Sequence, residues 1–168
     1  MKLTNILVVF SFILFTLAGC QDQPKDSTSD EIRTETKKPF TVKFDADSAY
    51  RYVQEQVDFG PRVPGTGAHG RTALYLQNKL AQFCDTAFIQ YGSMPTGRGG
   101  DVAINNIIGI LNPEQTKRIL LCAHWDTRPM ADQDKERPTT PADGANDGAS
   151  GVGVLLEIAR QLQEQRPD

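Results

Sequence analysis

The sequence predicts an α/β layer fold in which helices cover a sheet, and three observations carry that prediction. Residues 119–123, Ile-Leu-Leu-Cys-Ala, are an unbroken apolar run of the kind found in strands buried on both faces. Segments with strand character alternate with segments whose apolar residues recur every three or four positions, the alternation that builds helix-on-sheet layers. From Ser150 to Gln165, Val152, Leu155, Leu156, Ala159 and Leu162 recur at helical spacing opposite Arg160, Gln163 and Glu164, which marks the clearest helix of the chain.

The elements follow in order. Met1 and Lys2 start a short positive segment, and 12 residues from Ile6 to Leu17 are apolar enough for the core of a secretory signal but too few to span a bilayer. Leu17-Ala18-Gly19-Cys20 resembles the bacterial lipoprotein cleavage box. That resemblance implies a signal peptide over residues 1–19, a lipidated Cys20, and a location in the bacterial cell envelope, lipid-anchored and facing the periplasm or the surface. Gln21 to Pro39 are polar, without an aromatic side chain, and read with Cys20 as a flexible tether over residues 20–39.

Removing 19 of the 168 residues leaves 149, enough for one core. The balance of 18 basic and 21 acidic side chains, with no dense basic stripe, excludes nucleic acid as a partner. Cys84 and Cys122 are the thiols left once Cys20 is lipidated. Two thiols in an oxidising space can pair, yet the apolar run around Cys122 reads as a strand in which it is a small buried side chain.

Asp45, Asp47 and Ser48 offer capping oxygens ahead of Ala49, Tyr50, Val53 and Val57, which share one helical face. Gly60-Pro61 ends that helix, and residues 59–67 are a turn-rich loop. A second helix is expected from about His69 to Phe83, with Leu74, Leu76, Leu80 and Phe83 among its apolar positions. Ala87–Tyr91 and Val102–Leu111 read as strands joined by a linker from Gly92 to Gly100, and Arg118–Ala123 as a central strand. The 23 residues from Trp125 to Asp147 have no regular pattern, and loops of that length are usually functional or disordered.

The chemistry gathers at the ends of that loop. His124 and Asp126 sit two positions apart at the end of the expected central strand, so extended backbone points both to one side. The pair reads either as a satisfied strand-end hydrogen bond or as an imidazole oriented to act as ligand or base. Ligands collect beyond the carboxyl ends of strands in open α/β sheets, which favours the second reading. Gly144 to Gly153 forms the other cluster, and Gly148, Gly151 and Gly153 imply close approach of another group, because glycine early in a helix costs about 1 kcal/mol. In the plainer alternative Asp147 or Ser150 is simply an N-cap of that helix. A phosphate loop is disfavoured, since the Gly-Lys-Ser/Thr ending is missing.

Leu121 through Pro129, followed by Gly144 through Arg160 and preceded by the loop Phe59–Thr66, resemble the zinc-dependent glutaminyl cyclases of bacteria, which share a fold family with the zinc aminopeptidases. The resemblance covers roughly residues 47–166. It implies a three-layer αβα sandwich with a mixed, mostly parallel central sheet, of which residues 40–168 form the N-terminal part, truncated after the helix at about 150–165. It also implies zinc as cofactor and N-terminal glutamine of peptides or proteins as substrate. Asp147 is then a zinc ligand, His124 a ligand if the site is dinuclear, and Asp126 the group that orients His124. Trp125, Arg128-Pro129 and Asn146 favour the cyclase over the aminopeptidase. In the family the catalytic glutamates and a further histidine follow the final helix seen here, so the resemblance puts them beyond Asp168, the last residue given. The chain as given is therefore expected to bind zinc weakly and to be inactive alone, and a truncated, non-catalytic lipoprotein is the third reading. His69 reads as structural or superficial, and Glu157 as solvated or side-chain-paired rather than as a ligand.

Overall fold

Asp45 opens the first helix because its carboxylate accepts from the amides of Asp47 and Ser48 at 3.0 and 3.1 Å, satisfying donors the helix cannot. In the computed structural model, which describes residues 41, 43–97 and 99–166, this helix is α1 (Ala46–Val57). The expected signal, Cys20 and tether lie outside the described residues. The buried stripe of α1 runs through Ala49, Tyr52 and Gln56, so Tyr50, expected on the inner face, is exposed. Thr66 caps α2 (Gly67–Phe83) by accepting from the His69 amide at 3.2 Å, two residues earlier than the apolar pattern suggested. Ala73 and Leu76 face inward while Leu74 is exposed.

β1 (Thr86–Pro95) and β2 (Asp101–Ile110) form an antiparallel hairpin with Ile89 opposite Ile107. The turn is tighter than the Gly92–Gly100 linker expected: β1 runs to Pro95, and the Thr96 amide donates to the Gly100 carbonyl at 2.9 Å. This antiparallel hairpin is the sheet among the described residues, and no parallel strand pair is present among them.

Arg118–Ala123 does not form the expected central strand. A strand exists through ladder bonds to a neighbour, and no described strand pairs with this run. Its side chains accordingly face solvent, with Ile119 90% and Leu120 87% exposed. Cys122 is exposed for the same reason rather than buried, and Cys122 and Cys84 are both free thiols.

The core is built from Tyr52, Ala73, Leu76, Trp125, Val152 and Leu156, with Ile89 and Ile107 of the hairpin packed against it. Trp125 joins the layers: its ring stacks on His69 of α2 at 4.3 Å, and its indole N–H donates to the Asn105 carbonyl of β2 at 3.0 Å. The last helix, α3 (Ser150–Glu164), lies against α1. A Cβ at Gly153 would fall 2.8 Å from the Ala49 carbonyl oxygen, so the missing side chain permits that approach. Glu157 is fully buried on α3, where Asp45 N–H, Arg160 and Gln161 all donate to it. The Arg160 hydrogen bonds hold its carboxyl below the usual glutamate range.

Candidate metal centre

The long loop brings the two sequence clusters together. Asp147 Oδ1 lies 3.0 Å from His124 Nε2, and on the other side of the ring Nδ1 lies 3.2 Å from the Asp126 carbonyl oxygen and 3.6 Å from Asp126 Oδ1. The pairing expected between positions 124 and 126 is thus made chiefly through the backbone. A carbonyl accepts only, so the bond at Nδ1 requires Nδ1–H and leaves the lone pair of neutral imidazole on Nε2. That lone pair faces a carboxylate. Two acceptors at 3.0 Å need a proton or a cation between or beside them.

Local backbone chemistry puts Asp147 there. Residues Ala145–Ala149 form one wide turn ahead of α3, and inside it Asp147 takes φ −86°, ψ 91° and Gly148 takes φ 106°, ψ −58°, neither of them helical. Across this break no side chain, that of Asp147 included, makes a capping hydrogen bond to α3. Ala149 occupies the cap position, with no side-chain cap, so the N-cap reading of Asp147 or Ser150 is set aside. A Cβ at Gly148 would sit 3.2 Å from both His124 Cε1 and the Asp126 carbonyl oxygen, so the glycine makes room for the imidazole. Gly151 likewise admits the Ala123 methyl, 2.9 Å from where its own Cβ would be. The close approach inferred for these glycines is therefore by this chain's own groups.

Imidazole nitrogen and carboxylate oxygen are the donor types zinc prefers, and about three protein ligands complete a catalytic site. His124 and Asp147 fit as two of them. Among the described residues no group of three or more His, Cys, Asp or Glu side chains is placed to hold a metal ion. His69 is buried against Trp125, where desolvation lowers its basicity, and Glu157 is engaged with Arg160, so neither joins the pair. Asp168, after which the catalytic glutamates are expected, itself lies outside the described residues.

Arg62 was not singled out by sequence reasoning, because an arginine inside a Pro/Gly loop reads as a solvated charge. Its side chain is in fact fully buried. Nε donates to the Trp125 carbonyl at 3.0 Å, Nη1 to Asp143 at 2.8 Å and Nη2 to Gly144 at 2.7 Å. The Thr127 amide returns a bond to the Arg62 carbonyl at 3.2 Å.

Residues 106–168 match Peptidase family M28. The chain is similar to the glutaminyl-peptide cyclotransferase of Drosophila melanogaster, at 27% identity over 90% of this chain and 42% of that protein. It is also similar to the crystal structure of Tannerella forsythia glutaminyl cyclase, with 48% identity, TM-score 0.73, and coverage of 75% of this chain and 44% of that one. Bacteroides thetaiotaomicron glutaminyl cyclase bound to N-acetylhistamine aligns at 53% identity and TM-score 0.73, over 76% of this chain and 44% of that one. A leucine aminopeptidase precursor from the same organism aligns with the same values. The chain thus spans less than half the length of each of these relatives, and the resemblance to the bacterial zinc-dependent glutaminyl cyclases holds over the part it spans.

Proposed function

We propose, from the match of residues 106–168 to Peptidase family M28, that the protein acts as a zinc-dependent glutaminyl-peptide cyclotransferase. The meeting of His124 Nε2 and Asp147 Oδ1 at 3.0 Å carries the reading, since it leaves a cation-seeking pair at the mouth of a long loop. Asp147 would hold zinc, joined by His124 if the site is dinuclear. Zinc, when bound, supplies Lewis acidity that polarises an amide carbonyl. Asp126 fixes the His124 tautomer by accepting at Nδ1, which keeps the Nε2 lone pair directed at the centre. In the reaction the α-amino nitrogen of an N-terminal glutamine bonds to its side-chain amide carbon. The proton it loses goes to the leaving amide nitrogen, and ammonia departs. On this reading a glutamate carries that proton from one nitrogen to the other.

The same reading takes the complete fold as a three-layer αβα sandwich in which residues 118–123 supply an inner strand. An exposed apolar run of this kind calls for cover. Lipid attachment at Cys20 would tether the domain in the bacterial cell envelope, with peptide or protein N-termini as substrates. The likeness to a leucine aminopeptidase precursor supports a second reading, zinc aminopeptidase activity.

Incubating the full-length protein and zinc with a peptide that begins with glutamine separates the readings. Ammonia release without chain shortening is expected. Release of the free first residue identifies the aminopeptidase, and inertness without bound metal overturns both in favour of a non-catalytic lipoprotein. Asp147→Asn is expected to lower the zinc stoichiometry, and an unchanged stoichiometry removes Asp147 from the ligand set.

A further inference from the structure

We propose that Arg62 is a positioning residue for the His124–Asp147 pair: its buried guanidinium grips the backbone beside both side chains and so sets their separation. The inference rests on the metal-holding role proposed for that pair. The fork divides its donors between two segments far apart in sequence. Nε takes the carbonyl of Trp125, the residue between His124 and Asp126, while Nη1 and Nη2 take Asp143 and Gly144, which lead into the wide turn that carries Asp147. Backbone bonds within the intervening loop, such as Ala131 N–H to the Thr140 carbonyl at 2.7 Å, tie the loop to itself rather than to the residue after His124.

Two further observations point the same way. A Cβ at Gly144 would fall 2.7 Å from Arg62 Nη2 and 2.3 Å from Thr127 Cγ2, at φ +63°, so the chain keeps bare backbone where the fork lands. None of the hydrogen bonds from the Arg62 side chain goes to a carboxylate; all go to main-chain carbonyls. A buried cation whose hydrogen bonds all end on carbonyls, with the charges of Asp143 and Asp126 acting on it without a hydrogen bond, is a poor stabilising device beside an apolar side chain of the same volume. What a planar guanidinium supplies in its place is fixed geometry across several acceptors, which a lysine ammonium on a flexible stem does not reproduce.

The test compares Arg62→Lys and Asp147→Asn with the full-length wild-type protein. Zinc affinity is read by competition with a chelating indicator, and local order by amide hydrogen exchange. Arg62→Lys is expected to raise the zinc dissociation constant by about 10-fold or more, as loss of outer supports does in metal sites. Exchange should quicken at residues 143–149 while α2 and the β1–β2 hairpin keep wild-type protection. The proposal is overturned by wild-type zinc affinity with unchanged exchange at 143–149, or by protection lost evenly across the molecule. Failure of Arg62→Lys to fold overturns it too, since a positional role leaves the core intact. If Asp147→Asn leaves zinc binding untouched, the metal reading fails, and the exchange pattern alone then decides the role of Arg62.

Discussion

Replacing Glu157 by alanine is expected to destabilise the protein by about 2–4 kcal/mol, a magnitude that follows from the carboxylate's surroundings. Arg160 donates to it twice at 2.7 Å, Gln161 once at 3.0 Å, and the Asp45 amide once at 3.0 Å. Breaking a buried ion pair costs about 3–5 kcal/mol when the surviving charge stays buried and unpaired. Arg160 is spared part of that cost, because its side chain is 22% exposed and keeps Glu164 at 2.5 Å. The Asp45 amide also loses its acceptor, but Asp45 is exposed, so water takes the place of the carboxylate and the Arg160 pair dominates the loss. Glu157→Gln, which keeps an acceptor oxygen but not the charge, should lose about half as much. Urea denaturation read by the fluorescence of Trp125, the single tryptophan, measures both variants. With a slope of about 2 kcal/mol per molar, the alanine variant moves the midpoint by about 1–2 M. A cycle with Arg160→Ala isolates the pair. A loss under about 0.5 kcal/mol, or strict additivity in the cycle, refutes the reasoning.

The remaining predictions concern acid and the wide turn. Burial lowers the His69 pKa, so the stability it contributes is complete above about pH 6.5 and is lost as pH falls through its folded value. Arg160 lowers Glu157, and the Ser48 amide and hydroxyl lower Asp45, so their contribution is complete above about pH 4.5 and is lost further down. Urea midpoints taken across this range should therefore fall in two stages, and His69→Phe should abolish the upper one; a two-stage fall that survives in that variant counts against the assignment. Gly148→Ala forces an L side chain into φ 106° with its Cβ 3.2 Å from His124 Cε1, at a cost of about 1–3 kcal/mol. Ring resonances of His124 at their wild-type positions in that variant would show that the imidazole does not depend on the glycine.

What the sequence made legible was what local chemistry decides. Asp45 ahead of α1 and the apolar stripe of α3 are short-range signals, and the structure keeps both. His124, Asp126 and Asp147 were legible as a group because their side-chain types are rare in combination and fall at the two ends of one loop. Which alternative Asp147 adopts was not, because a cap and a ligand differ only in backbone direction, and that is set by the left-handed Gly148 beside the imidazole. The run 119–123 announces apolar surface that seeks burial but names no partner, since strand pairing is a relation between distant segments. Arg62 left no signal at all, for its partners are carbonyls, which every residue has. The least legible group is therefore the one that joins the two legible clusters: sequence lists the donors of a site, while their separation is fixed by main-chain contacts that side-chain identity does not encode.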